Sequence, residues 1–209
     1  MIAIVDYGMG NLRSVHKAVE QVGSAAQVIS DPQGIKNASK IILPGVGAFR
    51  DCMHNLTDRG LLEPLVTAIE AGKPFLGICL GLQLLFTQSE EFGLCEGLGI
   101  IDGTVEDFSN FISRERVPHV GWSQVNRYKS KRQQYIHTTP RTDIKDGTYF
   151  YFVHSYFVRP ADKDDIYTTT RYGELEFCSS IIKDNILACQ FHPEKSGRNG
   201  LRLLKQFFC

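Results

Sequence analysis

The sequence lacks an excess of charge of either sign. Lysine plus arginine and aspartate plus glutamate number 23 each in 209 residues, and no long block of one sign interrupts the chain. Electrostatic binding to nucleic acid or to an anionic membrane needs an excess of positive charge. The composition therefore predicts neither a nucleic-acid nor a membrane partner, and it favours a small molecule or another protein.

The chain also lacks a long apolar run. No stretch approaches the ~20 residues that span a bilayer, and the start MIAIVDYGMG has neither the basic residues nor the apolar core of a signal peptide. We therefore expect a cytoplasmic protein. At 209 residues the chain is long enough to bury one sizeable core, so we expect a single domain spanning residues 1–209.

C-x-x-C pairs are missing too, although the chain has six cysteines. Zinc sites and thioredoxin-type redox sites usually need that spacing. We therefore expect free thiols in a reducing compartment, no metal site and no cofactor.

Short apolar runs alternate with helical patterns in the first half of the chain. The patterns predict strands at Ile2–Val5, Ala26–Ile29, Lys40–Leu43 and Pro74–Ile78, and helices at Leu12–Val22, Leu61–Ala71 and from Cys79 to about Gln88. This alternation is typical of a sheet of parallel strands covered by helices, in which ligands bind at the carboxyl ends of strands.

The second half has a different pattern, rich in β-branched and aromatic residues. It predicts strands at Tyr149–Val153, Ile166–Arg171, Phe177–Ile182 and Ile186–Phe191, and a last helix from about Gly200 to Phe208. The predicted fold is thus α/β, with a central, mostly parallel mixed sheet flanked by helices and an antiparallel extension.

One cysteine lies where a nucleophile is expected. In FLGICLGLQLLF, Cys79 follows a predicted strand and stands between Gly77 and Gly81. A nucleophile on a sharp strand-to-helix bend needs small residues two positions before and after it, and the N–H of Leu80 would then point at a developing oxyanion. The alternative is an inert thiol packed among apolar neighbours.

The stretch QFHPE, Gln190–Glu194, follows the last predicted strand. A thiolate needs an imidazole to hand a proton to the leaving group, and the imidazole needs an acceptor that fixes its tautomer. His192 and Glu194 supply both, and on an extended segment their side chains would project to the same side. Taken alone, this stretch is more typical of a surface turn, but beside an elbow cysteine the catalytic interpretation is favoured.

Two glycine-rich loops follow predicted strands. The glycines of PGVG, Pro44–Gly47, allow close approach of the backbone to a ligand, so this loop is a candidate second oxyanion donor or an ordinary turn. In DYGMGN, Asp6–Asn11, Arg13 stands where a dinucleotide fingerprint has its third glycine, which argues against nucleotide binding there.

Taken together, these stretches resemble the class I glutamine amidotransferases, and among them the glutaminase subunits of imidazole glycerol phosphate synthases. The resemblance runs along the chain through DYGMGNL, LPGVGAF, GICLGLQLLF, PHVGW, YFVHSY and QFHPEKS. It implies a triad of nucleophile, acid/base and orienting carboxylate at Cys79, His192 and Glu194. It also implies oxyanion donors at the N–H groups of Leu80 and Val46.

The resemblance implies a substrate, a reaction and a partner. Glutamine would be held by Gln83 and Glu91, with the backbone around Ser155 and Tyr156 closing the pocket. It would be hydrolysed to glutamate, and the ammonia would pass to a (β/α)₈-barrel cyclase subunit that makes imidazole glycerol phosphate and aminoimidazole carboxamide ribotide in histidine biosynthesis. The resemblance places Asn11, His119 and Trp122 on the face that meets this subunit in a heterodimer.

Two positions depart from the family pattern: Ser123 replaces the usual asparagine of GWN, and Arg50 stands where a smaller residue is usual. Neither touches the triad. Three alternatives stay open: an ammonia donor for lipopolysaccharide-sugar amidation, a regulatory subunit without turnover, and a cysteine peptidase on a similar scaffold. Gln83 and the QFHPE stretch favour a small amino acid substrate over a peptide.

Overall fold

The computed structural model describes residues 1–130 and 142–208. Its α-helices are α1 Leu12–Gln21, α2 Pro32–Asn37, α3 Phe49–Asp58, α4 Leu62–Glu70, α5 Leu80–Gln83 and α6 Gly197–Phe208. Its strands are β1 Ile2–Val5, β2 Ala26–Ile29, β3 Lys40–Gly45, β4 Phe75–Cys79, β5 Phe86–Ser89, β6 Cys95–Glu96, β7 Ile101–Asp107, β8 His119–Arg127, β9 Thr148–His154, β10 Tyr156–Pro160, β11 Ile166–Tyr172, β12 Leu175–Lys183 and β13 Ile186–Cys189. No helix in these described ranges is long and apolar enough to cross a membrane.

Five strands form the parallel part of the sheet, in the order β2-β1-β3-β4-β13. Every residue of β1, β4 and β13 is buried, as expected for strands that helices cover on both faces. Strand β4 lies between β3 and β13, so the loops that follow those two strands flank its carboxyl end.

The remaining strands extend the sheet mostly by antiparallel pairing. Strand β12 pairs with β13, β10 and β11, and β8 connects β11 to β9. The predicted fold class is therefore confirmed, with a mostly parallel centre and an antiparallel extension. The eight predicted strands and the helices corresponding to α1, α4 and α6 are present, with strand ends within two residues of those predicted.

Alternate side chains of the central strands pack into two cores. Ala3 and Val5 of β1 lie in the core under α2, α3 and α4, whereas Ile2 and Ile4 lie in the core under α1 and α6. This alternation follows from the two-residue repeat of a strand. Both cores pack against β4, and this packing fixes the position of the last residue of the strand, Cys79.

The predicted helix from Cys79 to about Gln88 is wrong in its second half. Helix α5 ends at Gln83, and Phe86–Ser89 is strand β5, paired in parallel with β7. The carbonyls of Leu84 and Leu85 accept hydrogen bonds from the N–H groups of residues 98, 100 and 101, and Phe86 is fully buried. Pairing with a distant segment thus outweighs the local preference for helix.

Candidate active site

Cys79 occupies a sharp bend between β4 and α5. Its φ of 55° and ψ of −107° lie in a region that non-glycine residues rarely adopt and that often marks functional sites. A Cβ at Gly77 would lie 2.7 Å from the Gly81 carbonyl oxygen, and one at Gly81 would lie 1.9 Å from that of Leu43. The expectation that only small residues fit on both sides of Cys79 is confirmed.

His192 reaches the nucleophile because its strand is the neighbour of β4. Strand β13 pairs in parallel with β4, with Cys189 opposite Ile78, so the chain leaves β13 beside Cys79. His192 does not lie on an extended segment with Glu194, as the sequence suggested: Pro193–Lys195 forms a 3₁₀ turn. The turn folds Glu194 back, and Nδ1 of His192 lies 2.8 Å from Oε1 of Glu194.

The electrostatics of the pair favour the protonated, proton-donating form of His192. Burial alone lowers the pKa of His192, but attraction to Cys79 and the hydrogen bond to Glu194 raise it to about 10. Among the described residues, Nε2 of His192 and Oε2 of Glu194 have no hydrogen-bond partner although both are buried. Nε2 is therefore available to Cys79 and to a leaving group.

A cavity of about 310 Å³ opens in front of Cys79, near the lower end of the usual size range of small-ligand sites. It is lined by the candidate nucleophile and by all the candidate oxyanion and glutamine-contact residues: Val46, Cys79, Leu80, Gln83, Glu91, Ser155 and Tyr156. Val46 arrives there because β3 ends at Gly45, which lies opposite Cys79. Residues far apart in the sequence are thus brought together at one edge of the sheet.

Glu91 is a buried wall of this cavity rather than a solvated helix end. Its Oε2 accepts a hydrogen bond of 2.7 Å from the N–H of Phe49. Burial raises the pKa of Glu91, and the Phe49 N–H partly offsets this effect. Arg50, one of the two departures from the family pattern, donates to the carbonyl of Phe92 at 3.1 Å and so ties down the loop that carries Glu91.

The three candidate interface residues lie in different environments. Trp122 is 54% exposed, whereas His119, three residues earlier on β8, is 1% exposed. The side chain of His119 therefore points to the opposite side of β8 from Trp122, and it is not exposed to a partner protein. Asn11 caps α1, where its side chain accepts from the N–H of Ser14 at 3.4 Å.

Sequence reasoning missed two polar residues of the site. Gln190 is fully buried, and its Nε2 lies 3.6 Å from Sγ of Cys79. His154 lines the cavity and donates from Nδ1 to the Tyr156 carbonyl at 2.7 Å. Both lie inside stretches that the sequence analysis had identified, QFHPE and YFVHSY. Their position beside candidate site residues could have indicated that they belong to the site. Within residues 1–130 and 142–208, no group of three or more metal-ligand side chains lies close together.

Comparison with known proteins agrees with this geometry. The family model described as glutamine amidotransferase class-I matches residues 3–209. The chain is 51% identical to the imidazole glycerol phosphate synthase subunit HisH of Geobacter metallireducens over 99% of this chain and 96% of the relative. It is 47% identical to the subunit of the same name from Aquifex aeolicus over 98% and 94%.

Solved structures show the same fold at low sequence identity. A crystal structure described as a glutamine amidotransferase superposes with a TM-score of 0.73 at 16% identity over 100% of both chains. The structure of PurLQS from Thermotoga maritima gives 0.72 at 18% identity over 99% of this chain and 96% of that one. At such identities the likeness concerns the fold alone.

Proposed function

Because this chain belongs to the class I glutamine amidotransferases, we propose that it is the glutaminase subunit of an imidazole glycerol phosphate synthase. One observation supports the glutaminase reaction above the others. The strained Cys79 lies at the floor of a glutamine-sized cavity, beside a buried His192 whose Nδ1 is held by Glu194. The assignment to this synthase, and hence of the ammonia acceptor, is supported by relatives that carry its name and are about half identical over nearly their whole length.

The reaction begins with attack of the Cys79 thiolate on the side-chain carboxamide of glutamine. A C–S bond forms, and the carbonyl oxygen becomes an oxyanion that the N–H groups of Leu80 and Val46 stabilise. His192 then gives its Nε2 proton to the nitrogen, the C–N bond breaks, and ammonia leaves. The γ-glutamyl thioester remains on Cys79.

Hydrolysis of the thioester restores the site. Neutral His192 takes a proton from water, and the resulting hydroxide attacks the thioester carbonyl. The C–S bond breaks, glutamate leaves, and a thiolate again faces a protonated imidazole. Glu194 stays ionised throughout and keeps the imidazole in one orientation.

Binding of glutamine is assigned to the other walls of the cavity. Gln83 and Glu91 hold the amino acid end of the substrate, and the backbone of Ser155 and Tyr156 closes over it. With Asn11, the exposed Trp122 belongs to the surface that meets the cyclase subunit in a heterodimer, since a large exposed aromatic side chain suits the centre of an interface.

We extend the proposal to the whole chain and its compartment. Residues 1–209 form one glutamine amidotransferase domain, supported by a family match that covers residues 3–209. The protein acts in the cytoplasm, and the five described cysteines, all unpaired, suit a reducing compartment.

A two-nitrogen-source assay tests the proposal. The wild-type chain mixed with a histidine-pathway cyclase subunit and its ribotide substrate should form imidazole glycerol phosphate with either glutamine or ammonium. The mixture with Cys79→Ala should lose the glutamine-dependent reaction and keep the ammonium-dependent one. Product formed from glutamine by Cys79→Ala would overturn the assignment of the nucleophile. If the wild-type mixture formed product from ammonium but never from glutamine, the assignment of the cyclase as ammonia acceptor would be overturned.

A further inference from the structure

A row of polar groups, most of them buried, runs from β8 to the nucleophile. Its members are Ser123, His119, His154, the Tyr156 carbonyl, Gln83, Gln190 and Cys79, each within hydrogen-bond distance of the next. His119, His154, Gln83 and Gln190 are all buried. We propose that this row is one hydrogen-bond chain of two arms that meet at the Tyr156 carbonyl, and that it positions Gln83 for glutamine and donates to the sulfur of Cys79.

The direction of the chain follows from the Tyr156 carbonyl, which can only accept. Gln83 approaches it with Nε2 at 3.0 Å, and the second N–H of that amide points to Oε1 of Gln190 at 3.1 Å. Because Oε1 of Gln190 faces Gln83, Nε2 of Gln190 faces Sγ of Cys79, 3.6 Å away. Gln190 is thus an N–H donor to the attacking sulfur, a role that the triad leaves unfilled.

The histidine side of the chain has one consistent arrangement when both rings are neutral. Nδ1 of His154 must carry a proton to donate to the Tyr156 carbonyl at 2.7 Å. Its Nε2 therefore accepts from Nδ1 of His119 at 3.1 Å, and Nε2 of His119 accepts from the Ser123 hydroxyl at 2.8 Å. Burial supports the neutral state of both rings, because it lowers the pKa of His119 to about 4 and that of His154 to about 3.

This direction also determines what Gln83 offers the substrate. Both of its N–H groups are used within the protein, so only its carbonyl oxygen remains to face the cavity that it lines. A carbonyl oxygen accepts hydrogen bonds, so Gln83 presents an acceptor to the amino acid end of glutamine that the proposed function assigns to it. This deepens the proposed function, on which it rests.

The first test measures how fast iodoacetamide alkylates Cys79 in the isolated chain at neutral pH. Gln190→Glu keeps the shape of the side chain but replaces the N–H donor with a carboxylate oxygen. Because a hydrogen bond to a charged group is lost, we expect alkylation to slow at least about tenfold. The matched control is Gln27→Glu on the exposed side of β2, which should alkylate at the wild-type rate. An unchanged rate in Gln190→Glu, with unfolding cooperative as in the wild type, would overturn the chain.

The second test uses the two amide mimics of a histidine ring. His154→Asn keeps an N–H near Nδ1 and hence the bond to the Tyr156 carbonyl, whereas His154→Gln places its amide near Nε2 and loses that bond. The probe is a chloroketone analogue of glutamine, which alkylates Cys79 with loss of chloride. Its half-saturating concentration should rise about tenfold in His154→Gln and stay near the wild-type value in His154→Asn. Equal values in the two variants would contradict a positioning role.

The third measurement reads the tautomers directly. Ring nitrogen shifts of ¹⁵N-labelled protein at neutral pH should show His119 and His154 both neutral with the proton on Nδ1. A proton on Nε2 of His154 would overturn the direction of the chain. None of these readouts uses the cyclase, so loss of the acceptor assignment would leave the chain intact, and loss of the chain would leave the acceptor assignment intact.

Discussion

Nδ1 of His192 lies 2.8 Å from Oε1 of Glu194, and both side chains are almost completely buried. The contact leaves one ring nitrogen, Nε2, for chemistry at Cys79. It also places a carboxylate where it raises the pKa of the ring, together with Cys79 and against the effect of burial. This contact therefore favours one tautomer and the charged form of His192, the proposed acid/base group.

Glu194→Gln should abolish most turnover while preserving shape. An amide that holds Nδ1 by donating to it would favour the wrong tautomer, and in a comparable triad such a change costs about 10⁴-fold in kcat. We expect a loss of about 10³–10⁴-fold in glutamate release, with little change in thermal unfolding. The exposed Glu174→Gln is the matched control. Turnover within tenfold of the wild type in Glu194→Gln would show that another group orients His192.

The proposed oxyanion role of Val46 predicts different effects for two substitutions at that position. Val46→Pro removes the N–H, and loss of one oxyanion donor typically lowers kcat by about 10²–10³-fold. Val46→Ala keeps the N–H and should remain close to the wild type. Steady-state glutamine hydrolysis in the presence of the cyclase, with unfolding temperatures as a check, measures both. Equal kcat values for the two variants would remove Val46 from the oxyanion site.

Gly81→Ala should destabilise the elbow more than an ordinary glycine substitution would. Its Cβ would lie 1.9 Å from the Leu43 carbonyl oxygen, and backbone in a central strand has nowhere to move, so we expect a loss of about 3 kcal/mol or more in unfolding free energy. Gly60→Ala is the control, since Gly60 has φ of +66° but open space around it and should cost only about 1–2 kcal/mol. Denaturant unfolding measures both variants: Gly81→Ala reports the cost of steric overlap with the Leu43 carbonyl, and Gly60→Ala reports the cost of backbone strain alone.

The buried histidine pair predicts a loss of stability in mild acid. Unfolded histidine takes up a proton near pH 6.5, whereas His119 and His154 resist protonation until about pH 4 and about pH 3. Below pH 6.5 the unfolded state therefore binds more protons, and each histidine should lower the unfolding free energy by up to about 1.4 kcal/mol per pH unit. Denaturant unfolding between pH 7 and pH 5 measures this slope, and the double variant His119→Asn/His154→Asn should flatten it. An equally steep slope in the double variant would assign the acid sensitivity to other groups.

Local pattern was enough to predict the centre of the fold and to select the three residues that we propose as the triad. The buried strands around Cys79 are short apolar runs, and both reactive stretches follow such runs directly. Pro44–Gly47 and Gln190–Glu194 meet at Cys79 because β3 and β13 flank β4. The order of strands was not needed to select the residues, although it explains why they meet.

Features that depend on distant pairing were not predicted. Strand β5 forms by pairing with β7 and β6, which lie later in the sequence, and no helical pattern reveals this pairing. The donor role of Gln190 depends on Gln83 and Tyr156, more than 30 residues away from it in the sequence. The burial of His119 depends on the alternation of β8, which exposes Trp122 and turns His119 inward.

Glutamate release from glutamine, by the purified chain alone and then with a histidine-pathway cyclase subunit and its ribotide ligand, tests the central claim most directly. We predict that release depends on Cys79 and rises strongly only in the complete mixture, because the chain is the ammonia donor of a two-subunit enzyme. Stimulation by a sugar-amidating partner instead would show a different acceptor. The absence of Cys79-dependent glutamate release in every mixture, from a folded chain, would contradict the account.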